Sequence, residues 1–392
     1  MAMGLSSPHR LYKMNEPITY DTAIIGGGLA GLSAAIVLAD KGHKVVLFEK
    51  EAYPYHKVCG EYISMESKPF LQELGIPFES LQLPFINKLI VSAPDGSLLQ
   101  QPLSLGGFGI SRYKLDDMLK DIALQKAVTI LQRTKVNDVE FDGKQFLITT
   151  ATQTFYSKTC CGAFGKKANL DVKWNRPFSR IEARKLNKYM GVKYHIQTDF
   201  PEDTIALHNF ENGYCGISKI EDDRYCLCYL THVSNLENNQ HSIEQMEAVV
   251  LKANPHLEKI LNNSVILYKN PVSIAQISFM KKSQIENHVL LLGDAAGLIT
   301  PLCGNGMSMA LHSAKIAAAC IDDFLQEKIS RQQLEKKYAR QWKKNFATRL
   351  WFGRMIQRFF GKSAVTNRFV ANMRMAPGLT RWLIKKTHGK PF

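Results

Sequence analysis

The pattern of apolar and polar positions near the start of the chain predicts a strand, a helix and a second strand in close succession. An apolar run at residues 22–25 ends at Gly26, residues 32–38 are small or apolar almost throughout, and a second strand-like run at 44–48 follows Gly42. Two strand-length runs separated by a helix-length apolar segment are typical of a parallel βαβ unit. The first 50 residues therefore predict part of a parallel sheet with a helix packed on it.

Three glycines stand in the predicted turn between the first strand and the helix. Gly26, Gly28 and Gly31 have the spacing G-x-G-x-x-G, with Leu29 and Ala30 inside the same turn. In such a turn the first glycine permits the tight bend, the second lets the backbone approach a pyrophosphate, and the third lets helix and strand pack closely. The start of the helix then faces the phosphate charge. This spacing predicts a dinucleotide-binding site.

An acidic residue ends the second strand of this unit. Glu49 lies 18 residues beyond Gly31 (49 − 31) and is followed by Lys50. A carboxylate at this position accepts hydrogen bonds from the ribose hydroxyls and repels a 2′-phosphate. The acid favours FAD or NAD over NADP at this site.

A second glycine-rich segment has the order strand, acidic turn, glycine loop and helix. Residues 288–292 are mostly apolar, Gly293 and Asp294 follow, and Gly304-Asn305-Gly306-Met307 leads into a helix-length run. The Asp294 carboxylate can accept hydrogen bonds from a ribityl chain, and the glycines let backbone amides approach a flat ring. The positive end of the helix that begins at Met307 would stabilise a reduced flavin. The segment predicts FAD as the cofactor.

Together, the two glycine segments resemble the FAD-dependent enzymes of the p-hydroxybenzoate hydroxylase fold, whose second motif has the same Gly-Asp-Ala…Pro…Gly-x-Gly form. Lys57, Cys59 and Gly60 are similar to the Lys-x-Cys-Gly segment that lies beside the isoalloxazine in the geranylgeranyl reductase branch. Arg112 is similar to the arginine that begins a helix and approaches the FAD phosphates there. A surface arginine at a helix start is the alternative for Arg112. The resemblance implies an α/β fold with a Rossmann-like FAD-binding domain and an interleaved β-sheet substrate domain.

Two residues are candidates for a catalytic role. Cys59 follows from the resemblance, although a small buried core residue is an equal interpretation because hydride transfer needs no thiolate. Tyr214 stands where that branch carries Tyr-x-Trp-x-Phe-Pro, of which only the tyrosine is present here. It would supply a proton or orient a substrate, and a tyrosine packed in a sheet is the alternative.

Phe164 replaces the aspartate of the hydroxylases' Gly-Ala-Asp-Gly sequence, which weakens the implied handling of NADPH.

The order of these motifs predicts interleaved domains. We expect residues 1–74, 106–174 and 281–330 to form the FAD-binding domain, 75–105 and 175–280 to form the substrate-binding β-sheet domain, and 331–392 to form a basic helical segment. Strands are expected at 189–196, 204–210, 214–217 and 224–231, the last two as a hairpin.

Charge and composition limit the partners. The chain has 50 Lys+Arg against 35 Asp+Glu, a net charge of +15. On a helix, Trp351, Met355 and Phe359 would share one face beside Arg354, Arg358 and Lys362, as on an anionic bilayer surface. A tail that packs its apolar face on the enzyme is an equal alternative.

No nucleic-acid recognition motif or metal-ligand spacing is present, and the eight cysteines show no disulfide framework. We expect a cytoplasmic protein, and the membrane-binding interpretation of the tail would place it peripherally on the inner face of the cytoplasmic membrane.

These observations predict an FAD-dependent oxidoreductase that reduces carbon–carbon double bonds of a small apolar substrate, isoprenoid, polyene or quinone-like. An aromatic monooxygenase is the main alternative, and a redox-silent flavin or lipid-binding membrane protein is a remote one. The electron donor is expected to be NAD(P)H, or otherwise a redox protein. The halogenase branch is disfavoured because Trp174, Trp342, Trp351 and Trp382 form no Trp-x-Trp signature. The sequence does not determine the oligomeric state.

Overall fold

The computed structural model describes residues 19–180, 189–268, 270–300 and 304–392. Pro301 and Cys303, which belong to the second glycine segment, lie outside the described residues, as do residues 1–18 of the predicted FAD-binding domain. All predicted cofactor-binding and catalytic residues are within the described part.

Strands and helices alternate along the chain. The strands are β1 Thr19–Ile25, β2 Val45–Phe48, β3 Tyr62–Ser64, β4 Phe85–Ser92, β5 Leu98–Gly109, β6 Thr129–Leu131, β7 Asp138–Phe141, β8 Phe146–Thr149, β9 Thr154–Gly162, β10 Tyr189–Gln197, β11 Thr204–Phe210, β12 Gly213–Lys219, β13 Tyr225–His232, β14 Val265–Ile266, β15 Val272–Ile277, β16 Ile285–Glu286 and β17 Val289–Leu291. The α-helices are α1 Leu29–Asp40, α2 Lys68–Glu73, α3 Phe78–Leu81, α4 Arg112–Gln125, α5 Asn169–Lys173, α6 Val233–Glu237, α7 Ile243–Met246, α8 Pro255–Asn262, α9 Gly306–Leu325, α10 Arg331–Gln357, α11 Ser363–Met375 and α12 Pro377–Thr387. A π-helical turn, Glu247–Leu251, continues α7, and 3-10 turns occupy Met65–Ser67, Pro177–Ser179 and Gly293–Ala295.

The first sheet carries the predicted βαβ unit. Its order is β16-β17-β9-β1-β2-β6, and β7 and β8 extend it from β9. β1 pairs in parallel with β2 on one side and β9 on the other, so that Ile25 lies opposite both Phe48 and Gly162. The carboxyl ends of these parallel strands meet at one edge, which is where α/β sheets bind their ligands.

The second sheet is largely antiparallel. Its order is β14-β10-β13-β12-β11-β4-β5-β3, and β15 pairs with β10. The predicted hairpin is present as β12 and β13, which pair from Gly213 opposite Thr231 to Lys219 opposite Tyr225. β3, which lies within the segment 1–74, pairs with β5 in this sheet. The chain therefore enters the second sheet directly after the Lys-x-Cys-Gly segment.

Two layers of apolar packing hold these sheets. The larger core contains the first sheet, α1, α4, α9 and the inner face of α10. α1 is buried along most of its length, as its small and apolar residues predict. The second sheet packs α7 and α8 on one face and α11 on the other, the latter through Val370. The mixed α/β architecture agrees with the predicted fold class.

The C-terminal segment is helical, but the continuous amphipathic face predicted there is wrong. α10 ends at Gln357, so Arg358, Phe359 and Lys362 lie beyond it. Gly361 adopts a positive φ of 100°, and its carbonyl accepts a hydrogen bond from the Asn212 backbone N–H at 3.0 Å. The chain turns there to reach the second sheet, which a helical periodicity cannot reveal. Within the described residues, no helix is both long and apolar enough to span a bilayer.

Candidate functional site

The turn between β1 and α1 has the geometry that its glycines predict. Gly26 has a φ of +105°, which side-chain-bearing residues rarely adopt. A Cβ on Gly31 would lie 2.0 Å from the Gly26 carbonyl oxygen, so only glycine permits this close approach of helix and turn. A Cβ on Gly28 would lie 3.4 Å from Nη2 of Arg112 and 3.8 Å from Nζ of Lys57. Two cations thus lie beside the backbone predicted to hold a pyrophosphate.

Asp116 holds both cations in place. Its Oδ1 accepts from Nε of Arg112, and its Oδ2 accepts from Nη2 of Arg112 and Nζ of Lys57, each at 2.8 Å. Burial would raise the pKa of Asp116, but the adjacent Arg112 and Lys57 outweigh burial and hold that pKa below its usual value. Two positive charges share one carboxylate. The excess charge lies beside Gly28 and suits an anionic diphosphate.

Glu49 lies at the end of β2, as predicted. Its Oε2 accepts from the Gly27 backbone N–H at 2.8 Å, and its Oε1 accepts from the Glu51 backbone N–H at 3.0 Å. The side chain is buried at the edge of the glycine turn. These two bonds orient the carboxylate and leave lone pairs for the hydroxyls of a ribose.

The second glycine segment faces the first across the sheet edge. A Cβ on Gly293 would be 3.4 Å from Cβ of Ala30 in α1, and Gly304 has a φ of +64°. Gly306 begins α9, and Met307 is buried in its first turn. Lys282 donates to the backbone carbonyls of Asp294, at 2.8 Å, and Lys166, at 2.9 Å. Burial lowers the pKa of Lys282 to about 8. Lys282 therefore joins the Asp294 turn to the loop that follows β9.

A single cavity of about 1100 Å³ connects these features. Most of the predicted site residues line it, and two do not. Gly31 is used for packing against Gly26, and Asn305 is fully buried and donates through Nδ2 to the carbonyl of Thr387. The predicted residues that line it are Gly26, Gly28, Leu29, Ala30, Glu49, Lys50, Lys57, Cys59, Gly60, Arg112, Tyr214, Asp294, Gly304, Gly306 and Met307.

The residues around the large cavity fit FAD. The glycine turn and its paired cations suit the diphosphate, Glu49 suits the adenosine ribose, and the Gly304–Gly306 loop leaves room for a flat ring at the start of α9. Residues of both glycine segments line this one cavity, so a single dinucleotide could contact both.

The structure also reveals a buried polar cluster that sequence reasoning missed. Glu61 accepts hydrogen bonds from Nζ of Lys193, from Nε2 of His195 at 2.6 Å and from the Arg112 backbone N–H at 2.8 Å. The side chains of Glu61 and Lys193 are fully buried. Burial would raise the pKa of Glu61, but Lys193 and His195 outweigh burial and lower it to about 2. The sequence feature that could have revealed the cluster is the pair Lys193 and His195, two polar residues at alternate positions of the largely apolar β10.

This cluster is also the place where a cation would find ligands. Atoms of Glu61, His195 and Cys226 all lie within 4.8 Å of one another. The ammonium of Lys193 already bonds to the Glu61 carboxylate and supplies the positive charge. We therefore read the cluster as an ion pair that fixes the position of Arg112 through its backbone N–H.

The two predicted catalytic residues lie on different parts of the wall of the large cavity. The backbone carbonyl of Cys59 accepts from Sγ of Cys226 at 3.2 Å, beside the buried cluster. Tyr214, in β12, is buried and packs with apolar residues of the second sheet, including Leu207 and Leu230. The structure thus places the tyrosine on the apolar side of the cavity and the cysteine on the polar side.

A second cavity, of about 120 Å³, adjoins the first. It lies between the second sheet and the C-terminal helices. None of the described residues that line it is Asp, Glu, Lys or Arg, and its polar members are Tyr62, Thr380, Thr387 and His388. Four residues line both cavities: Tyr62, Ile205, Leu207 and Gly304.

Comparisons with known proteins agree with this site. A model of the FAD binding domain family matches residues 21–56. Conditioned medium factor receptor 1 of Dictyostelium discoideum is 23% identical, covering 95% of this chain and 77% of its own length. Tryptophan 2-halogenase of Chondromyces crocatus is 22% identical, covering 85% of this chain and 67% of the halogenase. Kynurenine 3-monooxygenase of Dictyostelium discoideum is 24% identical, covering 79% of this chain and 71% of the monooxygenase.

Solved structures share the whole architecture at low identity. The flavin-dependent brominase Bmp2 superposes with a TM-score of 0.75 at 20% identity, covering 94% of this chain and 93% of its own. A geranylgeranyl bacteriochlorophyll reductase-like protein from Thermoplasma acidophilum has a TM-score of 0.72 at 18% identity, covering 91% of each chain. The match to the FAD binding domain family and the residues around the large cavity both support FAD binding by this chain. Its fold is that of the flavin-dependent halogenases and hydroxylases, which the geranylgeranyl reductase-like protein shares.

Proposed function

We propose that this chain is an FAD-dependent monooxygenase that acts on an apolar aromatic substrate. The observation that carries the proposal is the continuity of the large cavity, in which the cofactor cradle and an apolar wall of the second sheet enclose one space. A substrate held against that wall would lie within the same enclosure as the flavin. Bound FAD would supply the reducing equivalents for activating oxygen.

The apolar wall suits a substrate with few charges. Ile205, Leu207, Ile217 and Leu230 from β11, β12 and β13 line it on one side, and Leu298 and Ile299 line it from the second glycine segment. Burying a substrate ring against such a wall removes apolar surface from water, at about 25 cal/mol for each Å². The wall also excludes water from the reacting atoms.

The polar residues have separable tasks in this proposal. Arg112 and Lys57, oriented by Asp116, hold the diphosphate, and Glu49 holds the ribose. The start of α9, with its free backbone N–H groups, would stabilise negative charge on a flavin ring bound beside it. Tyr214 orients a phenolic hydroxyl at the apolar wall. NAD(P)H is the proposed electron donor, and Lys166 and Lys167, which line the cavity beside Phe164, would attract its phosphates.

The names of the relatives support oxygen chemistry over reduction. A halogenase, a brominase and a 3-monooxygenase stand among the similar proteins described above, against one reductase-like protein. Reduction of a carbon–carbon double bond is the second candidate. The similarity to the reductase-like protein along 91% of both chains favours it, with Tyr214 as the proton donor.

Isotope labelling separates these reactions. The FAD-loaded protein is supplied with NADH or NADPH under ¹⁸O₂, with 4-butylphenol as the aromatic probe and chloride and bromide present. We expect a product that contains one ¹⁸O atom. In parallel, geranylgeraniol is supplied without oxygen and with deuterated NADPH. A deuterium-labelled, more saturated product there, with unchanged phenol, would replace monooxygenation by reduction, and a halogenated phenol would replace it by halogenation.

A further inference from the structure

We propose that the second cavity receives an apolar substituent of the substrate, while the ring that reacts stays in the large cavity. This inference rests on the proposed function, which places an aromatic ring beside the cofactor cradle. The substrate class that it defines is a phenol that carries a short alkyl or prenyl-type arm. The position, the walls and the size of the second cavity support this assignment.

The position of the second cavity makes it a branch of the first. Ile205 and Leu207 face both spaces from β11, and Gly304, in the loop before α9, also borders both. A group that extends from a ring at the apolar wall toward these residues would enter the second cavity. The branch begins at the same glycine loop that the flavin ring is expected to contact.

The ring of Tyr62 forms part of the partition between the two cavities. A Cβ on Gly107 would lie 2.4 Å from this ring, and a Cβ on Gly304 would lie 3.2 Å from it. The tyrosine ring is therefore fixed between the backbone of β5 and the glycine loop. A partition held on both sides gives the branch a defined entrance.

The walls of the second cavity select an apolar occupant. Val91, Leu99 and Leu103 line one side, from alternate positions of β4 and β5, and Phe369, Met373 and Ile384 line the other, from α11 and α12. Two threonines also line it, but backbone carbonyls of the helices already accept from their hydroxyls: Thr380 donates to the Met373 carbonyl of α11 at 2.9 Å, and Thr387 donates to the Ile384 carbonyl of α12 at 2.8 Å. His388 and Tyr62 are the other polar residues on its walls. Nδ1 of His388 bonds to the Ile384 carbonyl at 2.9 Å, and burial lowers the pKa of His388, so its ring offers no positive charge to a substituent at neutral pH.

The size of the second cavity limits the length of the arm. An apolar cavity of about 150 Å³ in another protein accommodates benzene, with six carbons. The 120 Å³ found here should therefore accept about four or five carbons. A protein segment is too large for this space, so an arm of the substrate is the occupant that fits.

The test measures dissociation constants of phenol, 4-ethylphenol, 4-butylphenol and 4-octylphenol for the FAD-loaded protein by calorimetry. We expect affinity to rise about fourfold for each added methylene up to butyl, and then to stop rising or fall at octyl. The variant Val91→Phe, which fills the second cavity, should lower the affinity for 4-butylphenol at least tenfold and change the affinity for phenol by less than twofold. The matched control is Ile90→Phe, in the same strand but packed on the opposite face of the sheet, and it should change neither.

Equal affinities along the series, binding of no member, or an equal loss for phenol and 4-butylphenol in Val91→Phe would each overturn the proposal. If Val91→Phe does not fold, the series on the unaltered protein decides alone. Binding that follows arm length without ¹⁸O incorporation would retain the second cavity as a binding site and refute monooxygenation. Incorporation of ¹⁸O with no dependence of affinity on arm length would refute only the role of the second cavity.

Discussion

Replacing Glu61 by Gln tests the buried ion pair that fixes the start of α4. The side chains of Glu61 and Lys193 are both fully buried, so the variant leaves the Lys193 ammonium without its carboxylate. Removing one partner of a buried pair costs about 3–5 kcal/mol of unfolding free energy. The pKa of Glu61 gives a similar magnitude, because its fall from 4.5 to about 2 corresponds to about 3 kcal/mol at 1.36 kcal/mol for each pH unit.

The dependence on pH has a definite sign. The folded pKa of Glu61 lies below its ordinary value, so its stabilising effect is fully present above pH 4.5 and is lost as the pH falls from 4.5 toward 2. The stability difference between the native protein and Glu61→Gln should therefore be constant from pH 5 to 7 and shrink below 4.5. Urea unfolding followed by tryptophan fluorescence measures it.

Two further variants make this prediction refutable. Glu61→Gln combined with Lys193→Met removes both charges and should be more stable than Glu61→Gln alone, since no unpaired charge stays buried. Glu140→Gln, at an exposed position of β7, should change the unfolding free energy by less than about 0.5 kcal/mol. A loss below about 1 kcal/mol in Glu61→Gln, or a double variant no more stable than the single one, would refute the assigned ion pair.

Three other predictions concern the cofactor and the C-terminal segment. Gly31→Ala should abolish FAD binding, because the new Cβ would lie 2.0 Å from the Gly26 carbonyl oxygen. In the control Gly378→Ala the new Cβ meets no atom within 4 Å, so this variant should bind FAD normally. Quenching of flavin fluorescence measures FAD binding by both variants, and normal binding by Gly31→Ala would refute the close packing. Arg112→Met should weaken FAD binding about 10- to 100-fold through the loss of charge-assisted hydrogen bonds to the diphosphate, and an unchanged affinity would show that Arg112 does not bind the diphosphate. Binding to an anionic membrane stays a prediction, based on Trp382, which is 47% exposed beside the basic residues of α12. We expect the protein to float with anionic but not with neutral vesicles in a density gradient, and the floating fraction to fall in Trp382→Ala or at high salt. Absence of the protein from the anionic vesicles would contradict this prediction.

The local parts of the site could be predicted from the sequence. The glycine spacing around Gly28 and the acid at Glu49 are properties of one short βαβ unit, and their geometry follows from neighbouring residues. β11 has the predicted bounds, Thr204–Phe210, because a run of strand-forming residues ends at turn residues on both sides. Such features depend on contacts within a few tens of residues.

The parts that were missed depend on contacts between distant segments. Glu61 meets Lys193 and His195 across more than 130 positions, and a single sequence gives no measure of that distance. The second cavity requires β4, β5 and the C-terminal helices to face one another, which no local pattern encodes. The predicted extension of α10 past Gln357 failed for the same reason, since the turn at Gly361 is set by its contact with Asn212.

The measurement that tests the account most directly is a titration of the purified apoprotein with FAD, followed by quenching of flavin fluorescence. We predict saturation at one FAD for each chain and a weaker affinity in Arg112→Met. Absence of saturable binding by the folded, unaltered protein would contradict the assignment of the large cavity to FAD, and with it the proposed reaction.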